Sequence, residues 1–252
     1  DKRVRRRNDF VRGDNKIKRT HGRLMMRRVV VTGAGCISPY GAGAGYAWDA
    51  VISGRSGIRT LTKVDVENQL VKIGGEIPPF NPEDYVDAHE AKRLDAFILY
   101  ALIAAKEAAA DGKFDITAEN PYKVGVIIGS AQGGLDTVVK SHDVMLKRGY
   151  CKVSPFTVPM MIPNMAAGKV SIALGAKGLN KSVATACATG AHSIGDAFRS
   201  IAFGDADVVF AGGSDSKISD FGLGAFTSAK TLSKRRAFPA PTQWPKSSSG
   251  SR

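Results

Sequence analysis

The 252-residue chain is poor in cysteine, carrying only Cys36, Cys151 and Cys187. Their odd number and wide spacing exclude a disulfide framework and every CxxC-type zinc or redox motif. A reducing, cytoplasmic setting is the expectation. No apolar run approaches the roughly 18 residues needed to span a bilayer, and the N-terminus lacks the hydrophobic region of a secretory signal, so no membrane partner is expected. GxxxxGK[ST] and HExxH are missing, which removes P-loop and zincin chemistry. Gly33-Ala-Gly35 follows an apolar run but fails the dinucleotide pattern at Ser38, so its glycines read as tight turns. Neither a cofactor nor a metal is expected.

Acidic residues are scarce only at the two ends. Residues 1–28 hold 12 Lys/Arg against 3 acids, and 234–252 hold 5 against none. The net charge of +13 therefore belongs to the ends, because residues 29–233 hold 19 basic and 20 acidic residues. A basic-tailed binder of nucleic acid or membrane surfaces is the weaker alternative, and no nucleic-acid partner is expected.

Residues 1–26 lack hydrophobic periodicity and read as a basic extension outside the core, with the natural start at Met25 or Met26. An organelle-targeting peptide is the other reading, although the stretch has one Thr and no Ser. From Val29 the pattern alternates. A strand at Val29–Val31 is followed by a helix over Tyr46–Ser53. Asp87-Ala-His-Glu90 is a capping-box start to one helix running through Ala110, with Leu94, Phe97, Ile98, Ala101, Leu102 and Ala105 on its buried face. Lys123–Gly129 is a short β-branched run of the kind covered on both faces. Helices over Leu135–Lys147 and near Asn164–Leu174, a strand at Lys181–Ala186, a helix at Ala188–Phe203 and a strand at Asp207–Gly213 complete the series. Strand, crossover helix, strand is the grammar of an α/β fold with a mostly parallel mixed sheet covered by helices. The segment 235–252, rich in Pro and Ser, fits neither period and reads as a non-native or disordered tail.

Cys187 falls where a buried-type strand runs straight into an Ala/Gly-rich helix bearing Ile194, Phe198 and Ile201 on one face. Backbone N–H groups at a helix N-terminus favour a thiolate and can receive the oxyanion formed when it attacks a thioester. An isolated cysteine in an apolar stretch is also commonly a small buried hydrophobe, so the residues alone leave both readings open. Cys36 and Cys151 read as structural. His192, five residues after Cys187, sits off the sulfur's side of the helix and reads as a structural helix residue. His89 and His142 read as surface or capping residues.

Seven ordered pieces carry a resemblance: RRVVVTGAGCISPYG (Arg27–Gly41), SGRSGI (Ser53–Ile58), RLDAFILYA (Arg93–Ala101), VGVIIGSAQGG (Val124–Gly134), SPFTVPMMIPNMAAG (Ser154–Gly168), TACATGAHSIGDA (Thr185–Ala197) and GDADVVFAGGSDS (Gly204–Ser216). In this order they resemble the β-ketoacyl-[acyl-carrier-protein] synthases, most closely the type II elongating enzymes of fatty-acid synthesis, over residues 27–234. The resemblance implies a thiolase-like layered fold (αβαβα in the full enzyme), of which this chain holds mainly the N-terminal half. It implies Cys187 as the acyl-accepting nucleophile, acyl carrier protein as partner and a homodimer in the full-length enzyme. It places Gln132 and Thr157 at the acyl pocket, where the family has apolar or bulky aromatic residues. Two histidines and a lysine of the family pattern belong to a second half beyond residue 234, so the chain alone is expected to be inactive in condensation. A polyketide-type member of the same fold is the alternative within the enzyme class.

Overall fold

A computed structural model describes residues 19–20, 23–24, 26–67, 69–216 and 218–233. The expected basic extension and the tail at 235–252 fall almost wholly outside those residues. The first described residues form two paired two-residue strands, β1 (Arg19–Thr20) and β2 (Arg23–Leu24). Next come β3 (Ile37–Ser38), β4 (Gly41–Ala42), α1 (Ala44–Ile52), β5 (Arg59–Thr60) and β6 (Ile73–Gly74). β3–β4 and β5–β6 are small antiparallel ribbons separate from the main sheet. Two helices follow, α2 (Ala88–Ala91) and α3 (Ala96–Asp111). The remaining elements are β7 (Val124–Gly129), α4 (Leu135–Arg148), α5 (Thr157–Met161), α6 (Met165–Leu174), β8 (Asn180–Lys181), α7 (Thr189–Ala202), β9 (Val208–Gly213) and α8 (Asp220–Ser228).

The main sheet has the order β8-β7-β9 and is parallel throughout. Every residue of β7 is buried, as its uninterrupted apolar run predicts for a strand covered on both faces. Side chains alternate along a strand, so Val124, Val126 and Ile128 enter the core with α3 and α6, while Gly129 meets Thr189 and Ser193 of α7 on the opposite face. Phe97, Ile98, Leu102, Ala166, Ala167 and Val170 fill the α3–α6 side. The result is a helix–sheet–helix sandwich around the strand that ends at Gly129.

Three expectations need correction. The single helix from Asp87 is two helices. Asp87 caps α2 by accepting from the N–H groups of His89 and Glu90, each at 2.9 Å. Asp95 then caps α3, its buried carboxylate accepting from Phe97 N–H at 3.2 Å and from Thr137 Oγ1 at 2.6 Å. Arg93 and Leu94 donate to carbonyls only three residues back, the tight turn that ends a helix. The apolar positions keep helical spacing across this break, which is why the pattern reads as one element.

The run at Val29–Val31 joins no ladder, and Val31 is 87% exposed. Carboxylates of α3 accept from the backbone that follows it: Asp111 from Ala34 N–H at 2.9 Å, Glu107 from Cys36 N–H at 2.8 Å. Residues 34 and 36, just beyond the run, are held on α3 where a strand leading into a glycine turn was expected. The strand expected over Lys181–Ala186 pairs only at Asn180 and Lys181, because residues 182–185 leave the ladder on their way to the turn holding Cys187.

Candidate active site

Cys187 is the middle residue of a single 3₁₀ turn, Ala186–Ala188, separated from β8 by residues 182–185 and followed directly by the first residue of α7. Its side chain is exposed. The turn is strained: Ala186 has φ of +50°, in the left-handed region that costs an L-residue with a Cβ roughly 1–2 kcal/mol. A sharp reversal between strand and helix demands such a value, and it lifts residue 187 out of the backbone path.

The turn rests on the carboxyl edge of the parallel sheet. A Cβ on Gly129, the last residue of β7, would lie 2.2 Å from the Val183 carbonyl oxygen and 2.4 Å from Thr189 Cγ2. One on Gly213, the last residue of β9, would lie 2.9 Å from Gly190 Cα. Glycine at both strand ends is therefore what lets the start of α7 sit directly on the sheet. α7 turns small residues inward, burying Thr189, Ser193, Ala197 and Ala202, while Ile194 and Phe198 are 56% and 48% exposed.

Hydrogen bonds brace both sides of the sulfur. Thr185 N–H donates to Thr189 Oγ1 at 2.9 Å, Ala188 N–H donates to the Thr185 carbonyl at 3.1 Å, and Ser193 Oγ donates to the Thr189 carbonyl at 2.9 Å. Lys181 of β8 donates to Asp196 of α7, and this bond is the main reason that the Asp196 carboxyl is held below the ordinary carboxylate range. His192 does not stand apart from the cysteine's neighbourhood. Its Nδ1 lies 2.8 Å from Thr185 Oγ1, two residues before Cys187. A helical wheel compares positions within one helix only, so it misses the chain that folds back alongside from before the helix.

Gln132 is exposed in the β7–α4 loop, and Thr157 is half-buried as the first residue of α5. Asp215, just beyond β9, holds the start of that loop: it accepts from Ser130 Oγ at 2.8 Å and from Ala131 N–H at 3.2 Å. Gly134 N–H closes the loop's other end on the Met161 carbonyl of α5 at 3.0 Å. Gln132 and Thr157 thus stand on neighbouring elements; Thr157 Oγ1 itself pairs with Ser141 Oγ of α4 at 3.0 Å. Asp215 was missed in the sequence; its only signal there is an acid two residues past the glycines that end a strand.

Of the other cysteines, Cys36 is half-buried, and burial followed by the nearby Glu107 carboxylate pushes its thiol up from the ordinary value. Cys151 is exposed on a turn after α4, so it does not serve the packing expected of it. His89 and His142 are exposed on α2 and α4. Among the described residues, no group of three or more His, Cys, Asp and Glu gathers as metal ligands, and no helix is long and apolar enough to cross a membrane.

A thiol raised on a strained elbow over the carboxyl edge of a helix-covered parallel sheet places the molecule in the thiolase-like class of layered α/β folds. The family model described as "Beta-ketoacyl synthase, N-terminal domain" matches residues 26–242. A 3-oxoacyl-[acyl-carrier-protein] synthase 2 of Staphylococcus aureus (strain COL) is 44% identical over 207 residues, which are 82% of this chain and 50% of that protein. The protein of the same name from Vibrio harveyi is 41% identical over 229 residues, 90% of this chain and 55% of its own length. Among solved structures, a β-ketoacyl synthase from Burkholderia phymatum STM815 superposes with a TM-score of 0.71 at 26% identity, covering 84% of this chain and 52% of that one. The ishigamide ketosynthase/chain length factor gives 0.75 at 25% identity, with 82% and 52% covered. The chain belongs to the β-ketoacyl synthase family. It spans about half the length of the curated relatives that it matches.

Proposed function

We propose that this chain supplies the acyl-accepting half of a 3-oxoacyl-[acyl-carrier-protein] synthase of fatty-acid synthesis. The Cys187 thiolate attacks the thioester carbonyl of an acyl-loaded carrier protein. The new carbon–sulfur bond forms at Cys187, the bond to the carrier's thiol breaks, and that thiolate leaves and takes up a proton. Malonyl-carrier protein then loses carbon dioxide, and the resulting carbanion attacks the acyl-Cys187 carbonyl. This releases Cys187 and a 3-oxoacyl chain longer by two carbons. Holding the electrophile covalently while the carbanion forms beside it is the advantage of the thioester on the enzyme.

The observation that carries this reading is Cys187 on the left-handed elbow at the sheet's carboxyl edge. The 41–44% identity to proteins named 3-oxoacyl-[acyl-carrier-protein] synthase 2 supports the choice of fatty-acid over polyketide substrates. In this reading Gln132 and Thr157 border the acyl chain, residues 27–234 form the synthase domain flanked by segments outside it, and a second copy of the chain completes a cytoplasmic homodimer. The test is to incubate the full chain with acyl-loaded carrier protein and map the product by intact and peptide mass. The acyl mass is expected on the Cys187 peptide and absent from Cys187→Ala. No acyl transfer, or transfer to Cys36 or Cys151 in place of Cys187, rejects the reading.

A further inference from the structure

We infer that His192 is a positioning residue for Cys187, acting through Thr185; the inference rests on the acyl-transfer reading above and assigns the elbow a second support within α7. A left-handed alanine persists only where its surroundings over-determine it. Ala186 follows Thr185, whose three polar groups are all engaged. Its N–H donates to Thr189 Oγ1 at 2.9 Å, its carbonyl accepts from Ala188 N–H at 3.1 Å, and its Oγ1 pairs with His192 Nδ1 at 2.8 Å. The first two bonds tie Thr185 to the elbow and to the first residue of α7. The third reaches onward to the next turn of the helix. Thr189 is 3% exposed and pressed against β7, so it is fixed by packing. The Thr185 side chain is β-branched with few rotamers, and one bond to Oγ1 selects among them. His192 therefore sets the rotamer of the residue whose backbone leads into the strained turn. Thr185 Oγ1 can donate to a bare Nδ1 or accept from a protonated one, so the contact has a form in either imidazole tautomer.

The geometry names the ring atom, and this gives a test that bulk or exposure alone does not meet. Asparagine places its amide at the δ position, where Nδ1 stands; glutamine places it one carbon further out. We expect His192→Asn to keep the rate of acyl transfer to Cys187 within about threefold. His192→Ala and His192→Gln should slow it about tenfold, the loss of one hydrogen bond of about 1–1.5 kcal/mol. Thr185→Val should slow it equally, and the Thr185→Val/His192→Ala pair should be no slower than either alone. The same series is read by iodoacetamide alkylation of Cys187, resolved by peptide mass, which needs no carrier protein. Circular dichroism melts establish folding; if His192→Ala does not fold, the Asn against Gln comparison carries the test. Wild-type rates in His192→Ala, an Asn variant as slow as the Gln variant, or slowing in the double variant equal to the product of the two singles would overturn the inference. If wild-type Cys187 takes no acyl group but alkylation still follows the expected order, the positioning role stands and the acyl-transfer reading falls. Acyl transfer without that order has the opposite meaning.

Discussion

Ala186 concentrates the cost of the site in one φ angle, and the residues around it are there to hold that angle. Cys187 itself was legible in the sequence, because a β-branched run, a set of small residues and a helical pattern meet at it. The left-handed conformation one residue earlier was not legible, since alanine gives no sign of it, and neither was the Thr185–His192 contact, which crosses from the elbow to the helix. Cys36 shows a different residue-scale effect. Burial, then the Glu107 carboxylate, hold its thiol above the ordinary value of 9.0. The unfolded thiol ionises first as pH rises, so the stabilisation is fully present below that ordinary value and is lost as pH climbs toward the folded one. We expect the urea midpoint to fall as pH rises through and beyond 9.0 in the native chain, and to fall less in Cys36→Ala. Equal slopes in the two proteins would mean that other groups cause the alkaline loss.

At the scale of elements, legibility followed burial. β7 was readable because both of its faces are covered, whereas α3, expected to bury one face at steps of three and four, is buried at every position from Phe97 to Ile103, Leu99, Tyr100 and Ile103 included. Errors arose where the polar group deciding an element's end lies elsewhere in the chain. Asp95 begins α3 while also accepting from Thr137, 42 residues on, so it joins the start of α3 to the first turn of α4. Asp95→Ala removes the cap and leaves a buried hydroxyl without that partner. A loss of about 2–3 kcal/mol in urea unfolding is expected. Asp95→Asn, which keeps an acceptor at the cap, should recover part of it. Val29–Val31 misled because β propensity reports side chains that suit an extended surface and cannot say whether any strand will pair with it; Val30 and Val31 are exposed.

For the molecule as a whole, charge and chemistry are separate. Residues 1–26 hold ten basic and three acidic residues, whereas 29–233 are near neutral. Deleting residues 1–26 should move elution from a cation exchanger to lower salt and leave the alkylation rate of Cys187 unchanged. A changed rate would tie that segment to the site. The sheet itself was legible as a parallel α/β arrangement, but its closure depends on pairing across long stretches of chain. The bond from Ser130 to Asp215 spans 85 residues, and β7 finds β9 across a comparable distance. On a ribosome adding about 5–20 residues per second, β7 waits about 4–17 s for that partner to be made. Until then Gly129 has no Gly213 strand beside it and the bed on which the elbow rests is half built. The turn holding Cys187 therefore cannot be fully seated before β9 is made, and a chaperone that shields β7 over that interval would raise the yield of correctly folded chain.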